Sequence, residues 1–215
     1  MKFDNGIDRK YRQSVRAAFD AIMAHGTDLQ RKMAGQIVDS NMLVRVAPVS
    51  QVNASGVTGL IDPGTTNERI ADEHLSLREA LGEIYIAIAE ETIDTGGQRG
   101  CEGTFVHEGR HAYDFARTIA SFSNADVNPL SLFDPTLYEL ELEAHKISGD
   151  YMLCINKPEY IDEGLGLMIL GRDAATSPCY VSDTGIHRRL QENYGLDPNG
   201  NQGPRASELL GLRLK

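Results

Sequence analysis

Cysteine is scarce in this chain, and what there is does not pair by pattern. Cys101, Cys154 and Cys179 are odd in number, widely spaced and free of any CxxC arrangement. This argues against a disulfide framework or a zinc ribbon and leaves free, reduced thiols. Long apolar runs are missing as well. No segment approaches the ~18 consecutive apolar residues of a membrane span, and the opening MKFDNGIDRKYRQSV has no apolar stretch of signal-peptide length. The expected location is therefore the cytoplasm, or a destination reached by export without a cleavable peptide. Basic residues are the third shortage. Lys and Arg number 21 against 31 Asp and Glu, for a formal net charge of −10, and they form no stripe. Nucleic acid and anionic membrane surfaces are thereby disfavoured as partners, because phosphate contacts need clustered cations. The one glycine-rich turn, Asp94-Thr95-Gly96-Gly97, lacks the GK[ST] ending of a phosphate loop and reads as a plain turn.

What is present is a globular composition, 41% apolar over 215 residues, which suits one domain over 1–196 and a Pro/Gly/Asn-rich tail over 197–215 that composition marks as mobile. Apolar residues recur at helical spacing over 8–25, and a second helix follows from Thr27 or Asp28 to Ser40. Met42–Val49 is β-branched and partly alternating, a strand closed by Pro48. Residues 53–67 read as loops around one short strand, VTGLID. Ser76-Leu77-Arg78-Glu79 is a capping box opening a short helix that Gly82 ends, and Ile84–Ala89 is the most buried strand candidate. Helices over the stretch after 97, over 136–154 and beyond Asp183 complete an α+β pattern, with a loop at 121–135.

The stretch VHEGRHAYD, residues 106–114, carries the chemistry. On a helix, His107 and His111 lie one turn apart on one face and can point two imidazole nitrogens at one ion. Glu108 stands about 100° round the helix, where its carboxylate can reach a water near that ion without being a ligand, as a general base must. Phe105, Ala112, Ala116 and Ile119 form a separate apolar flank. Gly109 is the exception, because glycine inside a helix costs about 1 kcal/mol relative to alanine, which suggests a functional site or a close contact with a strand.

A catalytic zinc takes three protein ligands, so a third is required. The pattern HExxHxxGxxH would need glycine and histidine at positions 114 and 117, which hold Asp114 and Arg117. Three ligands from one straight helix converge poorly, so Asp114 is assigned a supporting or solvent role. The helix 136–154 offers Glu139, Glu141, Glu143 and His145. Its apolar stripe is Leu137, Leu140, Ala144, Ile147 and Tyr151. Glu143 shares its flank with Glu139, Lys146 and Asp150, a solvated face, whereas Glu141 shares its flank with Leu137, Ser148 and Met152. A carboxylate there is either a helix-surface residue or a ligand compensated by a cation.

HExxH at 107–111 followed by E-x-x-A at Glu141-Leu142-Glu143-Ala144 resembles the gluzincin branch of zinc metallopeptidases. The layout upstream is weakly similar to small effector-type metallopeptidases that some bacteria deliver into other cells. The resemblance implies a zincin-like α+β fold: a small mixed sheet beside an active-site helix, a second ligand-bearing helix, and flanking N-terminal helices. It implies Zn2+ held by His107, His111 and Glu141, Glu108 as general base for water, and a peptide or protein substrate. The family often has an acid four residues after the ligand glutamate, where this chain has His145. Tyr151, Tyr180 and His187 are the candidates for stabilising the oxyanion. A zinc-binding regulatory or interaction module without turnover is the alternative, since fold does not fix function.

Overall fold

A computed structural model describes residues 1–172 and 179–214. The chain opens with β1 (Lys2–Phe3) and continues through α1 (Arg9–His25), α2 (Asp28–Asp39), β2 (Leu43–Ala47), α3 (Val49–Val52) and β3 (Gly56–Leu60). After α4 (Pro63–Asp72), α5 (Leu77–Gly82) and β4 (Ile84–Ala89) comes the long α6 (Glu90–Ser123). A 3-10 turn at Pro129–Ser131 leads to α7 (Leu137–Ile155), and α8 (Pro158–Ile161) and α9 (Leu165–Ile169) follow. The antiparallel pair β5 (Leu170–Arg172) and β6 (Cys179–Val181), then α10 (Asp183–Tyr194) and α11 (Ala206–Leu210), complete the described elements. This is a mixed α+β fold, dominated by helix, with a small mixed sheet.

The sheet order is β1-β2-β4-β3, with β1, β2 and β4 parallel and β3 antiparallel at one edge. β4 is buried on both faces. Ile84, Ile86 and Ile88 enter the main core, while Ala87 and Ala89 pack with Val52 on the other side. Burial on both faces explains its continuous apolar sequence. β4 passes without a loop into α6, which packs against β3, β4, α1, α2, α5 and α7. α6 is thus the central helix, with Phe105, Ala112, Ala116 and Ile119 almost completely buried along it. Capping boxes set the starts of three neighbouring helices: Thr27 with Gln30, Ser76 with Glu79, and Thr136 with Glu139.

Two expectations are corrected. Residues 63–67, read as loop, open α4: Asp62 accepts from the amides of Gly64 and Thr65, and Pro63 occupies the first turn, where its missing N–H costs nothing. The turn at 94–97 is mostly helical. α6 begins at Glu90, with Glu90 and Glu91 favourably placed in its first turn, and kinks at Gly97, whose φ of 60° and ψ of −153° suit glycine. Asp94 is held there from α1 by Lys10 Nζ at 3.0 Å and the Tyr11 hydroxyl at 2.9 Å.

The described residues beyond 197 pack on the rest of the chain. The amides of Leu137 and Tyr138 donate to the carbonyls of Pro204 and Gln202, Ala206 N donates to Pro135 O, and Ala206 and Leu210 are buried. The segment's polar composition hides two apolar anchors spaced at helical i, i+4. No helix among the described residues is long and apolar enough to cross a membrane.

Candidate metal centre

α6 and α7 pack side by side and bring three side chains to one point. His107 Nε2 and His111 Nε2, one turn apart, are separated by 3.1 Å. Glu141 reaches across from α7, with Oε2 3.4 Å from His107 Nε2 and Oε1 3.3 Å from His111 Nε2. Glu141 and His111 are buried. Burial by itself would raise the Glu141 carboxyl, but the facing imidazoles of His107 and His111 outweigh it and hold the group below the usual carboxylate range. At His111, burial works against the charged form, and the carboxylates of Glu141, Glu108 and Asp114 reverse this and raise its pKa. The local field therefore favours a positive charge among these three residues.

His145 lies in the same cluster, and on distance alone His107, Glu141 and His145 form a compact group able to hold a metal ion. Its hydrogen bonds argue otherwise. Arg189 Nε donates to His145 Nε2 at 2.8 Å, so that nitrogen must be the acceptor, and Nδ1 then carries the hydrogen that it gives to the Glu141 carbonyl at 2.9 Å. Both ring nitrogens are committed and no lone pair is left for an ion. Burial, with the nearby His107, pushes the His145 pKa down to about 3, so the ring is neutral at ordinary pH. His107, His111 and Glu141 are the better donor set. Glu141 Oε2 is buried without a hydrogen-bond partner among the described residues, as an oxygen reserved for a cation would be. His111 Nδ1 is likewise unpartnered; nothing in its surroundings accounts for this.

Glu108 is buried beside the cluster. β3 shapes its environment: Gly56 and Thr58, two residues apart, present the same strand face to α6. The Thr58 hydroxyl donates to Glu108 Oε2 at 2.7 Å. A methyl group at Gly56 would lie 2.5 Å from Thr104 Cγ2 and 2.9 Å from Glu108 Cγ, so the absent side chain is the space that Glu108 fills. Gly109 differs. It meets a helix and not a strand, and a methyl group there would sit an ordinary 3.4 Å from Ile37 Cδ1 of α2. Gly56→Ala is therefore expected to destabilise by about 1–3 kcal/mol through overpacking. Gly109→Ala should be neutral or stabilising by up to about 1 kcal/mol. Urea denaturation of the two variants checks the contrast, which equal losses would refute.

The remaining candidates are dispersed. Asp114 is a buried ion-pair centre rather than a solvent-facing acid, bound by Arg110 Nε at 2.6 Å and Arg117 Nη1 at 3.3 Å. Glu143 is 43% exposed at its side chain and meets Arg110 Nη2 at 3.3 Å. Tyr151 donates its hydroxyl to the buried Glu102 at 2.7 Å, as does Tyr160. Tyr180 on β6 lies over Gly171 of β5, and His187 Nδ1 bonds the Tyr138 hydroxyl at 2.6 Å. Neither Tyr180 nor His187 lines the cleft.

Two cavities of about 390 Å³ each flank the cluster and share Gly56, His107, Glu108 and Tyr194. One is walled by apolar residues, among them Leu60, Phe115, Leu140 and Leu209. The other carries Arg99, Arg189, Glu159 and Glu163. Tyr194, which the sequence reading overlooked, ends α10 beside Glu141 and lines both cavities. Tyr194 is 42% exposed, yet partial desolvation, then the Glu141 and Glu108 carboxylates, push its phenol up against the opposing pull of Arg189. The hydroxyl is therefore a donor at neutral pH. Neither helical periodicity nor the E-x-x-A spacing points to it. No family model matches this chain, and comparison with the curated proteins and with the solved structures finds no match.

Proposed function

We propose that this chain is a zinc-dependent peptide hydrolase of the zincin type, with His107, His111 and Glu141 as ligands and Glu108 as general base. The observation that carries the reading is that His107 Nε2 and His111 Nε2 lie 3.1 Å apart and each faces one oxygen of the Glu141 carboxylate, at 3.4 and 3.3 Å. A tetrahedral ion with bonds of about 2.0–2.1 Å separates its donors by roughly 3.3 Å. Two imidazoles and one carboxylate are also a donor set suited to a catalytic zinc with an open position.

When bound, zinc supplies Lewis acidity to a carbonyl oxygen and lowers the pKa of water toward about 7. The protein's own groups do the rest. Thr58 fixes Glu108 through Oε2, leaving Oε1 to take a proton from water and pass it to the leaving amine. Tyr194, protonated and at the junction of the two cavities, donates to the oxyanion that forms. β3 is an edge strand beside this junction, so an extended peptide can pair with its free side and carry the scissile bond across the cluster.

The test is metal content of the purified protein, before and after chelation, alongside cleavage of a mixed peptide library. One zinc per chain and chelator-sensitive cleavage are expected. Bound zinc with no cleavage of any peptide would favour a non-catalytic module, and no metal at all would end the reading. Tyr194→Phe should lower kcat by about 10²–10³-fold with little change in KM, the usual effect of losing one oxyanion donor. A rise in KM at constant kcat would make Tyr194 a substrate-binding group.

A further inference from the structure

The cavity on the α10 side contains two arginines, and their surroundings differ. Arg99 is neutralised: its Nη1 bonds Glu163 Oε2 at 2.8 Å and the Glu159 carbonyl. Arg189 has no carboxylate within ion-pair distance among the described residues. Its Nε is spent on His145 Nε2 at 2.8 Å, and its Nη1 lies 3.0 Å from the Met168 sulfur, a weak acceptor. The bond to His145 anchors the guanidinium at one corner, and Arg189 lines this cavity together with His107, Glu108 and Tyr194. A partly buried guanidinium held in place and lacking a counter-ion is poised for a planar anion, which it can grip by two parallel bonds.

We propose that Arg189 anchors a carboxylate of the peptide substrate on this side of the metal cluster. The inference rests on the peptide-hydrolase reading and deepens it to a substrate class: peptides bearing a carboxylate close to the bond that is cut. That carboxylate is either the free C-terminus or an Asp or Glu side chain. The opposite cavity, apolar and free of arginine and lysine, offers such a group no partner. The anchor thus also orients the peptide, with its acidic end toward α10.

The test uses zinc-loaded Glu108→Gln protein, so that binding is measured by calorimetry without turnover. Four peptides of one backbone are compared: a free C-terminus against its amide, and Glu against Gln one residue from the expected scissile bond. One charged member should bind at least about tenfold tighter than its neutral partner, the effect of a charge-assisted hydrogen bond, and which pair shows it identifies the source of the carboxylate. Adding Arg189→Gln should reduce that preference to within about twofold at unchanged zinc content. Arg189→Lys, which retains charge but not the fork, should keep only part of it and serves if the glutamine variant does not fold. Equal affinities within both pairs, or a preference that survives loss of Arg189, would overturn the proposal. Wild-type hydrolysis without any charge preference overturns the anchor alone, whereas a charge preference without hydrolysis supports the anchor and ends the hydrolase reading.

Discussion

Glu108→Gln is expected to reduce kcat/KM for peptide hydrolysis by about 10²–10⁴-fold, the contribution of a positioned general base, while zinc remains near one per chain. Glutamine keeps the shape that fills the space beside Gly56 and can still accept from the Thr58 hydroxyl through its amide oxygen. What it lacks is a basic oxygen to receive the proton. Since Glu108 is not one of the three proposed ligands, the ion should not notice the change. Metal analysis and steady-state kinetics on the same preparation separate the cases. Joint loss of zinc and activity would make Glu108 a ligand, and retained activity would place the base elsewhere.

The part of the site legible in the sequence is the part set by local geometry. The i, i+4 spacing of His107 and His111 dictates a shared helix face whatever surrounds the helix. The uneven flanks of 136–154 were informative for a similar reason: Glu141 comes to lie buried beside Leu140 and Ala144, and Glu143 lies toward solvent. What could not be read were contacts between residues far apart in the chain. Thr58 reaches Glu108 from 50 positions away, and Arg189 reaches His145 from 44. No periodicity encodes such meetings. His145 is the sharpest case: it stands where the family often has an acid, and only Arg189 reveals that both of its nitrogens are engaged.

The same limit explains the fold-level corrections. Helix α4 was readable in principle from Asp62-Pro63, an N-cap followed by proline at the first helical position, but the glycine and threonines beside it imitate a loop. The first turns of α6 depend on Lys10 and Tyr11 holding Asp94 from another helix, a tertiary contact that overrides the Gly96-Gly97 turn signal. The C-terminal segment owes its position to backbone bonds with the start of α7, which side-chain composition cannot foretell.

The second large effect is expected at Glu141, the proposed third ligand. Glu141→Ala removes one of three protein donors and leaves two histidines on a single helix. Zinc affinity should fall by more than about 100-fold, beyond the 10–100-fold typical of losing a supporting partner, and hydrolysis should disappear. Glu143→Ala should retain zinc and change stability by no more than about 0.5 kcal/mol, because Glu143 is half-exposed and shares Arg110 with the buried Asp114. Competition titration against a chelator, at a pH where the imidazoles are neutral, measures both. The chelated protein offers a check that needs no metal. The folded pKa of His111 is raised, with Glu141 the main group opposing burial. The stability this contributes is fully present below the unfolded value of about 6.5 and is lost as pH rises through the folded value. Glu141→Ala should abolish that acid-side gain in denaturation measured across the window, and Glu143→Ala should preserve it. The reverse order in both experiments would mean that α7 is rotated toward its charged flank and that Glu143 is the ligand. Full zinc occupancy in both variants would remove α7 from the metal centre.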